Sequence, residues 1–330
     1  WDKFGITWGK TSSKAASFRI KQPDRIYSGN SPTIFNDDFS IDYETLCFLN
    51  SKVSLYLLNV FNPTMSSQLG DIMDLPFTKF DNDALISRGQ RCIEISKFDW
   101  DLFERSKSFS QSPLLPPCEN VKNHSSENNK LSIKEKYLLI RKSWQKLTDE
   151  LLAIEIQNNK FFIDLFQLEN ELSPEVNTSD ITLNINPYYR YGNNYSKPDR
   201  EERFVADTIK EFISYSIGVN FGRYSLDQTG LILANQGETL VDYLLKIPEP
   251  IFIPIKENVI PIVEGDWFPD GAANRFKEFL QVTFGEKNFN KNLQFIEDSI
   301  RQPIEDYFPK DFIDNHIQMY QKRPIYWLFS

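Results

Sequence analysis

Ser132-Ile133-Lys134-Glu135-Lys136-Tyr137 opens the stretch that decides how this chain is read. From there Ile133, Tyr137, Ile140, Trp144, Leu147, Leu151, Ile154, Asn158, Phe161, Leu165, Leu168 and Leu172 recur at spacings of four and three without a break. Such a heptad seam marks an amphipathic helix with coiled-coil character, and Asn158 is its single polar interruption. Ser132 and Glu135 form a capping box at the start, and Ser173-Pro174 is a stop signal at the end. One continuous or gently kinked helix over 132–172 would reach roughly 60 Å, which suits a spacer or arm better than a routine core element. Two ordinary helices meeting near Asn158-Asn159 would give the same seam.

Upstream of this helix, Pro113, Pro116 and Pro117 lead into Asn123-His124-Ser125-Ser126-Glu127-Asn128-Asn129-Lys130, a linker composition. The linker sets off residues 1–117. There, Phe4–Gly9, Ala15–Ile20 and Thr33–Phe35 are rich in aromatic and β-branched residues and read as short strands. Leu46, Leu49, Val53, Leu57 and Val60 predict one helix, with Asp42 as N-cap and Asn62-Pro63 as its end. Residues 64–80 read as loop and strand, with Gly70 supplying a positive-φ turn.

Downstream, Ile181–Ile185 alternates as a short strand. Phe204, Thr208, Phe212 and Tyr215 share one face of a helix over 199–218. Residues 219–270 read as loops and short strands, and helices are expected at 272–284, 288–301 and 309–322. The fold class is therefore α+β, a mixed α/β arrangement. A domain over 1–117 is followed by a linker at 118–130, a long coiled-coil-like spacer over 131–172, and a mixed, mainly helical C-terminal domain over 173–330.

The chain begins at Trp1 without an initiator Met and ends in Tyr326-Trp327-Leu328-Phe329-Ser330, so both ends read as cut from a longer protein. No apolar run is long enough to span a bilayer. Cys47, Cys92 and Cys118 are odd in number and widely spaced. They suit reduced thiols in a cytoplasmic protein better than a disulfide framework. His124 and His316 lie far apart with no ligand partners at metal-binding spacing. There is no phosphate-binding loop, nucleophile elbow or dinucleotide fingerprint.

The formal net charge of −9 argues against a generic nucleic-acid binder, but the charge is unevenly distributed. Residues 1–35 carry a local balance of +4, and residues 36–104 a balance of −7. The candidate DNA contact is therefore the turn Lys10-Thr11-Ser12-Ser13-Lys14 together with Arg19 and Lys21. Lys10, Lys14, Arg19 and Lys21 can neutralise phosphates. The hydroxyls of Ser12 and Ser13 can bond phosphate or base edges. If the stretch alternates as strands, about half of these side chains would face the duplex. On charge alone, a solvated surface is the simpler reading.

Asn186-Pro187-Tyr188-Tyr189 approaches the Asn/Asp-Pro-Pro-aromatic motif with which amino-group methyltransferases hold a flipped base. Tyr188 replaces the second proline, however, and no strand with a glycine-rich loop precedes the motif, so a structural role is the better reading. Gly222-Arg223-Tyr224-Ser225-Leu226-Asp227 could contact phosphate, but reads more simply as a structured turn with Arg paired to Asp. No catalytic, metal-binding or cofactor-binding residue is assigned.

Leu49-Asn50-Ser51-Lys52-Val53, Asn62-Pro63-Thr64, Gln68-Leu69-Gly70-Asp71-Ile72 and Leu75-Pro76 resemble target-recognition domains of methyltransferases and restriction enzymes, including those of type I specificity subunits. Gly5-Ile6-Thr7-Trp8 and Phe98-Asp99-Trp100-Asp101 also fit. Phe161–Phe166 through Glu171–Val176, Asn186–Tyr191, Ile213–Tyr215 with Gly222–Asp227, and Arg323–Phe329 resemble the BREX phage-resistance adenine-specific methyltransferases of the PglX family. The resemblance implies a specificity-subunit-like recognition domain at the start of the chain. It also implies a full-length enzyme that binds S-adenosylmethionine and methylates adenine N6 in a non-palindromic site of double-stranded DNA. The catalytic domain would lie before Trp1, and this segment itself would hold no cofactor and be catalytically inert. Two alternatives stand beside it. One is the equivalent part of a single-chain type II restriction-methylation enzyme. The other is a protein-interaction module that docks other defence subunits.

Overall fold

The computed structural model describes residues 3–11, 16–25, 28–36, 40–64, 66–77, 79–117, 131–263 and 268–329. The linker expected at 118–130, with Cys118 and His124, lies outside the described residues. The protein is mainly helical with a small antiparallel sheet, and it divides into two compact units. One unit comprises Trp1–Phe98 and Gln145–Tyr189, the other Asp99–Trp144 and Arg190–Ser330.

In the first unit, β1 (Gly5–Trp8) is the middle strand of an antiparallel sheet, with β2 (Phe18–Lys21) and β3 (Thr33–Ile34) on either side. These are the three strands expected from the β-branched and aromatic runs. Ile6 faces Ile20 and Trp8 faces Phe18 across β1 and β2, and these four side chains turn to the core. The predicted single helix is instead a pair, α1 (Tyr43–Leu49) and α2 (Lys52–Phe61). Asp42 caps α1 as expected, by accepting the Thr45 N–H. The break follows from Ser51, whose hydroxyl accepts the Ser54 N–H and starts a second helix, while Asn50 bonds back to Phe18.

The loop and strand expected over 64–80 contains α3 (Leu69–Met73) in place of a strand. Gly70 is helical there and has no positive φ. A reciprocal cap between Gln68 and Asp71 overrides the glycine as a turn signal. A further helix, α4 (Asp83–Asp101), was not foreseen. Glu44 carboxylate oxygens accept the N–H groups of Phe80 and Asn82 just ahead of it. The core closes on Phe48, whose ring lies 5.3 Å from Phe77, 5.4 Å from Phe162 and 5.7 Å from Phe166.

The long helix is present and uninterrupted as α5 (Ile133–Phe166), with the expected cap in which the Glu135 carboxylate accepts from Ser132 N–H and hydroxyl. It ends at Gln167, in the left-handed region at φ 56°, ahead of Ser173-Pro174. Its burial does not keep the strict seven-residue seam. Leu165 is exposed, and Asn159, Phe162 and Ile163 are buried in place of that register. An α-helix turns every 3.6 residues, so a 3.5-residue seam drifts by about 20° per heptad unless the helix supercoils. Within the second unit, Tyr137 packs on Phe295 and Trp144 on Phe204. Within the first, Phe162 packs on Phe48. At Tyr137 and Trp144 the seam is thus covered by this chain's own residues.

Ile181–Ile185 is not a strand. The Leu183 N–H bonds to Ile181 O and the Asn186 N–H to Leu183 O, so these groups close tight turns rather than a ladder. α6 (Pro187–Tyr191) follows directly. In the second unit α7 (Lys197–Asn220) buries Phe204, Thr208, Phe212 and Tyr215, the face read from the sequence. Among the described residues, 219–270 holds α8 (Leu240–Lys246) and no strand. α9 (Ala272–Phe284), α10 (Glu286–Ile300), α11 (Ile304–Tyr307), a π-helical turn at Phe308–Phe312 and α12 (Ile313–Met319) complete the unit, close to the three helices predicted.

Candidate DNA-facing surface

Antiparallel register fixes which sheet residues can look outward. Paired residues share a face and neighbours along a strand alternate. Thr7 pairs with Arg19, and Gly5 with Lys21, which places Arg19 and Lys21 on the face away from Trp8 and Phe18. Arg19 is exposed there, and no acid among the described residues pairs with it.

Lys21, taken from the sequence as a phosphate contact, is buried instead at 4% exposure. Its Nζ donates to Lys3 O at 3.0 Å and lies 5.9 Å from the Phe35 ring centroid. The space comes from Gly5 opposite, where a Cβ would come within 2.6 Å of Ile34 O. Without that Cβ, β3 approaches closely and the segment leading out of it covers the lysine. An ammonium bound to carbonyls under a phenyl ring is not available to DNA.

Lys10 follows directly after β1. Its backbone is held on both sides, with its N–H donating to Asn30 O at 3.0 Å and its carbonyl accepting from Ser67 N–H at 2.8 Å. The Trp8 indole reinforces this by donating to Ser67 O at 2.9 Å. The Lys10 side chain lines an open hollow of about 440 Å³ with Ser28, Thr33, Gln68 and Leu69, and no carboxylate among the described residues pairs with its ammonium. Ser12, Ser13 and Lys14 lie outside the described residues. The structure thus leaves Lys10 and Arg19 as surface cations and withdraws Lys21.

The partners of Lys10 in the hollow were missed by sequence reasoning. Residues 28–32 carry turn-forming Ser, Gly, Asn and Pro and no other signal, and Gln68-Leu69 entered only as part of a motif. Backbone bonds from Lys10 to Asn30 and Ser67 bring the three stretches together, and nothing in the linear pattern announces them.

The methyltransferase-like motif is closed off. Asn186 is 1% exposed, its Nδ2 donates to Thr178 O at 2.7 Å and Ile181 O at 2.9 Å, and its Oδ1 accepts the Tyr188 N–H. An amide used in this way holds a turn, and its burial keeps the remaining Oδ1 lone pair away from a base amine. Arg190 in the same stretch donates to the Glu211 carboxylate at 2.7 Å and lies 3.5 Å from that of Asp207. Gly222 has φ 70° in a structured turn, as expected. Arg223 donates to the Tyr224 hydroxyl at 3.2 Å, and Asp227 accepts the Ile251 N–H at 3.0 Å. Cys47 and Cys92 are free thiols, and burial pushes the Cys47 pKa up to about 12, which makes it a poor nucleophile. No group of His, Cys, Asp and Glu among the described residues could hold a metal, and no helix there is long and apolar enough to cross a membrane.

The chain is thus mainly helical, with Arg19 exposed on a small sheet and the Asn186 amide bound up in a turn. Comparison with known proteins gives the class: the chain is homologous to a segment of adenine-specific methyltransferases. It is 31% identical over 345 residues to adenine-specific methyltransferase BrxX of Escherichia coli O9:H4 (strain HS), covering 99% of this chain and 27% of that protein. It is 34% identical over 346 residues to adenine-specific methyltransferase PglX of Lacticaseibacillus casei (strain Zhang), covering 99% of this chain and 26% of that one. The chain thus spans about a quarter of the length of the curated relatives it matches. No family model matches it.

Proposed function

We propose that this chain is the DNA-recognition segment of an adenine-specific DNA methyltransferase of a BREX-like phage-defence system. The observation that carries the reading is similarity along 99% of the chain to two proteins named as such methyltransferases. In this reading residues 1–117 form a specificity-subunit-like domain that fixes double-stranded DNA. Residues 131–172 act as a spacer, and residues 173–330 form a mixed C-terminal domain. Lys10 and Arg19 neutralise phosphates, and Lys14, Ser12 and Ser13 extend the same contact. Another part of the enzyme, working in the cytoplasm, binds S-adenosylmethionine and flips the adenine. The Asn186 amide, bonded within its own turn, is not offered to that adenine.

The test is duplex affinity of the chain against salt. Each phosphate contact adds about one unit of slope. Lys10→Ala and Arg19→Ala should each make the slope shallower by about 1 and weaken all sequences alike. Binding without salt dependence, or none, overturns the reading. A second reading, docking to other defence proteins, draws support from exposed Val60, Phe61 and Met73 in the first unit. It predicts capture of such a partner by a chain that ignores DNA.

A further inference from the structure

An exposed leucine on its own carries no information, because folded surfaces hold many. Leu69 is distinguished by where it stands. It is 49% exposed and lines the same hollow as the Lys10 ammonium. It is also held firmly: Gln68 just before it donates its N–H to the Asp71 carboxylate at 2.9 Å and its side-chain amide to the Ser66 hydroxyl at 3.1 Å. On the same short helix, Ile72 is anchored in the core. With the backbone held at both Leu69 and Lys10, little backbone freedom is lost on binding.

The rest of the hollow suits one strand of a nucleic acid. It is open and about 440 Å³ in volume, so an extended strand can lie across it without entering a closed cleft. Ser28 and Gly29 lie on its wall, and the space a Cβ would fill at Gly29 is empty, so the backbone can be approached closely there. The Ser31 N–H to Ser28 O bond at 2.9 Å fixes this turn, and Asn30 ties it to Lys10.

We infer that the hollow seats one DNA strand at a recognised base pair, with Lys10 on a phosphate and Leu69 against the adjoining base, making Leu69 a specificity residue for thymine. This rests on the DNA-recognition reading above. Thymine is the base that offers an apolar group, its C5 methyl, in the major groove, and an aliphatic side chain is its complement.

The chain and its Leu69→Ala, Leu69→Gln and Lys10→Ala variants are each equilibrated with a pool of random-sequence duplexes, and the bound fraction is sequenced at two salt concentrations. Leu69→Ala should weaken the preference for T·A at one position by about three- to fivefold, the loss expected for roughly one methylene of burial, and leave the salt slope unchanged. Leu69→Gln should shift that position toward adenine, and keeps the test decisive if the alanine change disturbs α3. Lys10→Ala should lower affinity for every sequence alike. Unaltered site preference in both Leu69 variants, with salt-dependent binding intact, overturns this inference alone. Loss of salt-dependent binding in the unaltered chain overturns the recognition reading with it.

Discussion

Asn159 Oδ1 accepts the backbone N–H of Lys52 at 2.9 Å, so a side chain deep in α5 satisfies the first orphan donor of α2. Asn159 Nδ2 donates to Pro174 O at 3.3 Å, and Lys52 Nζ donates to Ser173 O at 3.0 Å. One amide thus joins a helix start, the long helix and the turn after it. Asn159→Leu should lower the stability of the chain by about 1–3 kcal/mol, the loss expected when buried backbone groups are left unpaired. Denaturant unfolding measures this, and an unchanged midpoint would remove the assigned role.

Asn158, one residue earlier, should behave in the opposite way. It is 7% exposed, its Nδ2 reaches only the Cys47 sulfur at 3.6 Å, and its Oδ1 meets no donor among the described residues. Replacing an unsatisfied buried amide with an apolar group of similar shape is neutral or stabilising. Asn158→Leu should raise stability by about 1 kcal/mol. A lower melting temperature would show that the amide is satisfied in solution.

His316 sets an acid limit on the second unit. Its Nε2 accepts the N–H groups of Ile325 at 3.1 Å and Tyr326 at 3.2 Å, which requires the neutral ring. Burial lowers its pKa to about 4. Its folded pKa lies below the unfolded value, so the unfolded chain binds the extra proton first. Stability is intact above about pH 6.5 and falls as pH drops towards 4, by an amount of order 3 kcal/mol. His316→Gln should flatten that dependence. An unchanged pH profile in the variant would place the acid sensitivity elsewhere.

Glu155 carries the reverse dependence. Burial, and secondarily the charge of Asp180, raises its pKa to about 7. The folded state holds the proton more tightly than the unfolded state, so stability is lost as pH rises from about 4.5 through 7. Glu155→Gln should therefore stabilise the chain at pH 8 by roughly 1–3 kcal/mol and change little at pH 4.5. Equal effects at the two pH values would refute the assignment.

Asn186→Ala should destabilise the turn that joins Thr178 and Ile181 to α6 by about 1–2 kcal/mol. Calorimetry should detect no S-adenosylmethionine binding by the chain, with or without this change. Micromolar binding that Asn186→Ala abolishes would restore the motif to catalysis.

Elements that keep one period and carry a cap were legible from the sequence. α7 came from Phe204, Thr208, Phe212 and Tyr215 on one face, and the start of α5 from Ser132 and Glu135. α4 was missed because its buried side chains, Leu85, Ile95 and Asp99, are sparse among charged ones, and because Gly89 looks like a breaker. Gly89 is there for room: a Cβ would stand 3.0 Å from Cys47 Sγ and from Tyr43 Cβ. Ile181, Leu183 and Ile185 alternate as a strand would, yet are buried from a chain of turns. At the candidate surface, the charge balance singled out Lys10, Arg19 and Lys21 alike, and of these Arg19 is exposed and Lys21 buried. The burial of Lys21 depends on Gly5 and Phe35, whose positions follow from strand pairing that periodicity does not encode.

The two hydrogen bonds that grip Lys10 come from Asn30 and Ser67, and both close on its backbone. Neither depends on the side chain at position 10, so that side chain can be exchanged while the segment keeps its place. What the end of β1 displays is thereby uncoupled from what anchors it.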